Sequence, residues 1–216
     1  STSRRGCMSK VCALVGAGDF NAERFGELHG AGAFDYVVAV DGGYAALEAI
    51  GVVPDMALGD FDSLGFVPKG VRVSRFPARK DKSDMELAFE RVRSRRFGTA
   101  YVFGALGGRL DHTLANIQVG ARFSELGLSV FMVGRSELLA FVTGPDAFEA
   151  EARESGTVSV FALSDACEGV FERGMAWDLD DVTLTNRTSQ GLSNELTGEP
   201  VMIGVESGTI VVFFPL

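Results

Sequence analysis

The 216-residue sequence predicts an α/β fold: a mostly parallel sheet with crossover helices, followed by a small antiparallel sandwich or barrel-like unit. Three observations carry that prediction. Up to about residue 143, short β-rich runs alternate with helix-length segments. Beyond Gly144 and Pro145 helix-length periodicity stops, and short strands follow one another between glycine, aspartate and asparagine turns. Finally, 46% of the residues are apolar and 23% charged, so the chain can bury a core as one large or two small domains.

In chain order, "VCALVGA" reads as the first strand and "AERFGELHGAG" as the helix after it. "YVVAVDGG" and "YAALEAIG" repeat the strand-helix pair, and "MALGD" and "VRVSRFP" supply two further strands. In "SDMELAFERVRSRR", Met85, Ala88, Phe89 and Val92 recur at helical spacing, while Arg91, Arg93, Arg95 and Arg96 fall largely on the other side. "AYVFGAL", the helix "LDHTLANIQVGARFSELG" and "SVFMVG" complete the first part, which ends after "LLAFVTGP". From Phe148 onward come "FEAEA", "TVSVFAL", "GVFERGMAW", "VTLTN", "PVMIGVES" and "TIVVFF". The predicted domains are therefore 8–145 and 146–216. No internal repeat or low-complexity tract interrupts them.

A net charge of −9 excludes broad nucleic-acid or anionic-membrane binding, because neither surface attracts such a chain. Any anionic ligand must be held locally, by a metal or by a few cations. Cys7, Cys12 and Cys167 are odd in number and lack metal-ligand spacing, which argues against a disulfide framework or zinc site and for a reducing, cytoplasmic setting. No apolar run reaches the roughly 18 residues that span a bilayer, and "SKVCALVGAG" is too short and glycine-rich for the apolar core of a signal peptide. The leading "STSRRGC" is assigned no function.

Four polar clusters fall at expected strand ends, the position where open α/β sheets bind ligands. In "VDGGYAAL", Asp41 follows an apolar strand and Gly42-Gly43 lets the backbone approach a ligand; an aspartate N-cap on a tight turn is the alternative. In "LGDFDSL", the period-two alternation of a strand gives Asp60 and Asp62 similar direction, so both can address one cation, Mg2+ by its preference for hard oxygen ligands. A solvated turn capped by the two carboxylates is the alternative. Two carboxylates 4 Å apart repel by about 4 kcal/mol at an effective dielectric near 20, which a cation removes. In "RKDKSDMEL", Ser83 and Glu86 form a capping box that sets Asp84 in the first helical turn, with Lys80, Asp81 and Lys82 beside it. In "FGALGGRLDHTLAN", Arg109 projects from a glycine loop and Asp111-His112 open the next helix, an anion cradle or a surface ion pair. Neither this loop nor "GAGDFNAERFG" has the spacing of a Walker A or dinucleotide fingerprint.

The set "VDGG", "GDFDS", "KDKSD", "GGRLDH" and, later, "GLSNELTGE" with "VESGTIVV" resembles thiamine pyrophosphokinase from about Val11 to Phe213. The resemblance implies a Rossmann-like α/β domain binding ATP and Mg2+, then a β-sandwich domain binding thiamine. It further implies a homodimer with active sites between subunits, and transfer of pyrophosphate from ATP to thiamine with release of AMP. By the same resemblance Asp60, Asp62 and Asp84 bind magnesium. The nucleotide side involves Asp41, Gly42, Gly43, Lys80, Asp81 and Arg109, with Asp111 near the junction of the substrates. Trp177 in "RGMAWDL" resembles the family's aromatic that stacks on the vitamin, and Ser193 and Asn194 its polar lining, contributed by the partner subunit. Ser83 stands where many members have threonine, and "GMAW" replaces the more usual leucine-lysine before the aromatic. Without the resemblance, a lone tryptophan at a strand end reads equally as sandwich core. Two other functions compete: another metal-dependent Asp-x-Asp transferase acting on a nucleotide, and a thiamine or nucleotide sensor without turnover.

Overall fold

The computed structural model describes residues 9–62 and 64–216; the leading segment with Cys7, and Ser63 of the "GDFDS" box, lie outside the described residues. The chain divides into two compact units, one up to Thr113 and one from Leu114.

The first unit contains β1 (Val11–Val15), α1 (Ala22–Gly30), β2 (Tyr36–Val40), α2 (Gly43–Ala49), β3 (Met56–Gly59), β4 (Arg72–Arg75), α3 (Asp84–Ser94) and β5 (Thr99–Phe103). The strands run in the order β5-β1-β2-β3-β4, all parallel, with Leu14 of β1 opposite Val38 and Val102. Cys12 to Val15 and Val37 to Val40 are buried without alternation, as strands covered on both faces must be. Asn21 accepts the Arg24 N–H and starts α1; Ser83 accepts the Glu86 N–H at 3.1 Å and starts α3. On α3, Met85, Ala88, Phe89 and Val92 are the buried stripe that their spacing predicts, and full burial of one such side chain stabilises by about 1.5–3 kcal/mol. Because the strands are parallel, the loops after β1, β2, β3 and β5 leave from one edge of the sheet.

Helix α4 (Leu110–Glu125) begins at the end of the first unit and continues into the second. The second unit is otherwise all strand: β6 (Ser129–Val133), β7 (Glu137–Thr143), β8 (Asp146–Ala150), β9 (Thr157–Ala162), β10 (Ala166–Arg173), β11 (Leu179–Thr185), β12 (Asn194–Glu195), β13 (Val201–Val205) and β14 (Thr209–Pro215). Antiparallel pairing links β6-β7-β14-β9-β12 on one side and β11-β10-β13-β8 on the other. Val142, Val158, Val160, Ile210 and Val212 from the first set meet Val170, Leu184, Ile203 and Val205 from the second in one core. Of the two architectures open to the sequence, the sandwich is the one formed. Among the described residues no helix is long and apolar enough to cross a membrane.

Candidate active site

The site grows from three strand ends of the first unit. Where β2 stops, Asp41 turns into the left-handed region (φ 47°) and its N–H donates to Leu58 O at 2.7 Å. Gly43 is obligatory here: a Cβ on it would sit 1.7 Å from the carbonyl oxygen of Val15. The N-cap residue of α2 is Gly42 with no side-chain cap, so capping does not account for Asp41. Where β3 stops, Gly59 (φ 142°) leaves room for two aspartates; a Cβ there would come within 3.0 Å of Asp84 Oδ2 and 3.2 Å of Asp41 Cα.

Beyond Gly59 the strand rule that aligned Asp60 with Asp62 no longer applies. Phe61 takes a left-handed backbone (φ 63°) and is buried, which ends the alternation. Asp60 turns inward, while Asp62 stays exposed and donates its N–H to Asp60 Oδ1 at 3.0 Å. The carboxylates that meet are therefore Asp41, Asp60 and Asp84, with one oxygen of each within 4.8 Å of the others. The sequence-based triad named Asp62 in place of Asp41.

Lys80 sits among them. Its Nζ lies 2.9 Å from Asp84 Oδ1 and 3.5 Å from Asp60 Oδ2, and donates to Pro77 O at 2.8 Å. The side chains of Lys80, Asp60 and Asp84 are only 14% to 17% exposed. Burial raises the Asp84 carboxyl above its ordinary range, Lys80 opposes that, and the charges of Asp60 and Asp41 add to it. On Lys80 burial acts to lower the ammonium pKa but is outweighed by Asp84 and Asp60, so the net direction is up. When all are ionised, three carboxylates against one ammonium leave two negative charges in a half-buried pocket. That surplus and the all-oxygen donor set fit a hard divalent cation such as Mg2+. Asp81 and Lys82 are exposed, and Lys82 pairs with Glu90 rather than joining the cluster.

After β5 the chain enters the glycine loop 104–108, which is stitched to the loop after β1 by Gly16 N–H to Phe103 O, Gly18 N–H to Gly104 O and Asp19 N–H to Leu106 O. Gly104 must lack a side chain, since its Cβ would lie 2.3 Å from Gly16 O. The loop presents Arg109, whose fork binds Asp111 through Nε at 3.2 Å and an η-nitrogen at 2.7 Å. The hydrogen bond from Arg109 holds the Asp111 carboxyl below its usual range, and the same bond raises Arg109. Both are exposed, so the guanidinium is available to an anion that displaces the carboxylate. His112, next on the helix, is exposed and donates its backbone N–H to Asp111.

In the second unit Trp177 is 58% exposed, which sets aside the core-packing alternative. Its backbone is clamped by buried Asn194: Oδ1 accepts the Trp177 N–H at 3.1 Å, and Nδ2 donates to Trp177 O at 2.6 Å. Ser193 is exposed with a left-handed backbone (φ 62°), and its N–H donates to Ser159 Oγ at 3.0 Å. The structure thus brings together Asp41, Asp60, Asp84 and Lys80 in one unit, and Trp177 with Asn194 in the other.

A parallel α/β unit with a carboxylate-lysine pocket at its strand ends, joined to a mainly β unit with an exposed aromatic, has the architecture of an α/β enzyme with its ligand site at the strand ends. Comparison with known proteins narrows that class. The family profile "Thiamin pyrophosphokinase, catalytic domain" matches residues 31–132, and "Thiamin pyrophosphokinase, vitamin B1 binding domain" matches 147–210. The thiamine pyrophosphokinase of Bacillus subtilis (strain 168) is 25% identical over 167 residues, 74% of this chain and 77% of that protein. Among solved structures, the B. subtilis thiamine pyrophosphokinase superposes with a TM-score of 0.79 at 22% identity, covering 95% of this chain and 99% of that one. A thiamin pyrophosphokinase family protein from Enterococcus faecalis gives 0.77 at 25% identity, covering 96% and 99%; thiamin pyrophosphokinase from Candida albicans gives 0.77 at 17%, covering 96% and 89%. The chain belongs to the thiamine pyrophosphokinase family and carries both of its domains.

Proposed function

We propose that the chain is a thiamine diphosphokinase, which transfers the pyrophosphoryl group of ATP to the hydroxyl of thiamine and yields thiamine diphosphate and AMP. The observation that carries this reading is the Asp41-Asp60-Asp84 pocket with Lys80, lying within the stretch matched by the family's catalytic domain. Residues 8–145 act as the ATP and magnesium domain, and 146–216 as the thiamine-binding and dimerisation domain; the vitamin B1 domain match at 147–210 supports the second assignment. The working enzyme is a cytoplasmic homodimer with shared active sites.

In the reaction the thiamine hydroxyl oxygen attacks the β-phosphorus of ATP. One P–O bond forms as the bond to the α-phosphate bridging oxygen breaks, and AMP leaves with the electron pair. Such transfers depend mainly on positioning and electrostatic stabilisation. Asp60 and Asp84, with Asp41, hold Mg2+, which when bound neutralises charge on the phosphate oxygens. Lys80 keeps the carboxylates together before substrate arrives and brings its positive charge beside the phosphates. Gly42 and Gly43 give the nucleotide close access to backbone, Asp81 lies on the nucleotide side, and Arg109 offers its fork to the polyphosphate. Asp60, Asp62 or Asp111 accepts the hydroxyl proton. Trp177 stacks on the vitamin, and Ser193 and Asn194 line its pocket. Asp62 stands exposed outside the carboxylate pocket, which removes support from an Asp-x-Asp transferase of another kind. Incubating the purified chain with ATP, magnesium and thiamine, and separating the nucleotides, tests the reading. AMP formation that requires thiamine is expected; ADP, or no nucleotide product, contradicts it.

A further inference from the structure

Of the 17 phenylalanines, all are described and Phe66 alone is exposed. At 51% exposure it stands with Trp177 as an aromatic ring left largely in water, and the reaction above does not use it. The ring is not on a loose segment. Its loop leaves β3 past Asp60 and is pinned by Phe61, which is 3% exposed and whose carbonyl accepts the N–H groups of Leu64 at 3.2 Å and Gly65 at 3.0 Å. Two residues beyond the ring, Pro68 is buried again. A phenylalanine held outward between two buried anchors forgoes the burial that its neighbours obtain.

Its one ring neighbour is Tyr44, with centroids 6.2 Å apart and planes at 86°. An edge-to-face contact occupies at most one face of a ring, so the other face of Phe66 stays open, as its exposure requires. Tyr44 is half-buried in the first turn of α2, where its N–H donates to Asp41 O at 3.2 Å. Between it and Asp41 stand only Gly42 and Gly43, which add no side chain. The pair therefore joins the two segments that deliver Asp41 and Asp60 to the carboxylate pocket. A ligand whose phosphates are drawn to that pocket, and which carries a flat base beyond them, meets an aromatic face built into the pocket's own walls.

We infer that Phe66, braced by Tyr44, is the base-stacking residue of the nucleotide subsite, with its open face against the purine of the triphosphate. The inference rests on the reading of the carboxylate pocket as the ATP site. Stacking of a base on an aromatic ring is worth about a tenfold gain in affinity or more, and it acts on the base alone. If the pair served only to tie the loop after β3 to α2, its loss would disturb the pocket for any phosphate ligand, with or without a base.

Titration calorimetry of the full chain with magnesium separates these cases, using ATP and ribose 5-triphosphate, which lacks the base, as probes. The wild type should bind ATP about tenfold or more tightly than ribose 5-triphosphate. Phe66→Leu keeps apolar bulk against Tyr44 but removes the ring, so it should weaken ATP about tenfold and leave ribose 5-triphosphate within about twofold. Phe66→Tyr keeps the ring and should restore the wild-type difference between the probes. Phe66→Ile serves if the leucine variant does not fold. A folded Leu or Ile variant that still prefers ATP as the wild type does overturns the inference, as does one that loses equal affinity for both probes. A wild type that binds both probes equally overturns it too, while leaving the triphosphate reading of the pocket standing. A wild type that binds neither overturns that reading, and the stacking role falls with it.

Discussion

Replacing Asp84 by asparagine gives a prediction whose two halves run in opposite directions. In the metal-free protein the Asp84 carboxylate lies within 4.8 Å of one oxygen each of Asp41 and Asp60, and at an effective dielectric near 20 each such pair repels by about 3.5 kcal/mol. Against the resulting ~7 kcal/mol stands its contact with Lys80 at 2.9 Å, about 6 kcal/mol by the same relation. The two sides cancel to within roughly 1 kcal/mol, and burial of the charge, the largest cause of the raised Asp84 carboxyl, decides the sign. At pH 8, where the carboxylate is ionised and this strain is fully present, Asp84→Asn should stabilise the metal-free protein by about 1 kcal/mol or more, some 2–4 °C in Tm. Magnesium should reverse the ranking. At about a hundred times its dissociation constant it stabilises the wild type by about 2.7 kcal/mol and the variant by little. Differential scanning calorimetry with EDTA and then with magnesium measures both halves, and turnover should fall by at least about a hundredfold. A variant less stable than wild type in EDTA, or one that gains as much from magnesium, would refute the electrostatic account of the pocket.

Three further outcomes follow from the same geometry. Lys80→Met strips the three carboxylates of their cation, so metal-free Tm should drop and magnesium should recover most of the loss in a thermal melt. Gly43→Ala would force a Cβ to 1.7 Å from Val15 O, and urea unfolding should show a loss of about 3 kcal/mol or more, or no folded protein. Burial pushes Glu172 from the ordinary 4.5 up to about 7, against the opposing hydrogen bond from Asn194. The folded state therefore holds a proton that the unfolded state has lost between those two values, and this group's contribution to stability falls as pH rises through that window and is level above it. Glu172→Gln should match wild type near pH 4.5 and exceed it by up to about 3 kcal/mol at pH 8, read as the difference between paired denaturation curves.

Most of the architecture was legible because its signals are local. Unbroken apolar runs such as "YVVAV" announced strands buried on both faces, Ser83 with Glu86 announced the start of α3, and the loss of helical spacing announced the antiparallel unit. Strand β12 escaped notice because two residues carry no period. At the site, the sequence set Asp60 at a strand end and Asp84 at a helix start with Lys80 close by, and that these three side chains lie together was legible. The exchange of Asp62 for Asp41 was not, because it turns on the left-handed backbone of Phe61 and on Gly59 giving two aspartates room to approach. Neither feature follows from the order of residues alone. Glu172 did leave a trace: in "GVFERG" it shares the inward register of Val170, so a glutamate on the core face of a strand was visible.

The central claim is that one pyrophosphoryl unit passes intact to the thiamine hydroxyl at a carboxylate-bound cation site. Phosphorus NMR of the chain with ATP, magnesium and thiamine labelled with 18O in its hydroxyl tests this in a single sample. The account predicts thiamine diphosphate and AMP as the products, with the labelled oxygen bound to the α-phosphorus of the vitamin diphosphate and none in AMP. Thiamine monophosphate with ADP, or label recovered in AMP, would contradict it.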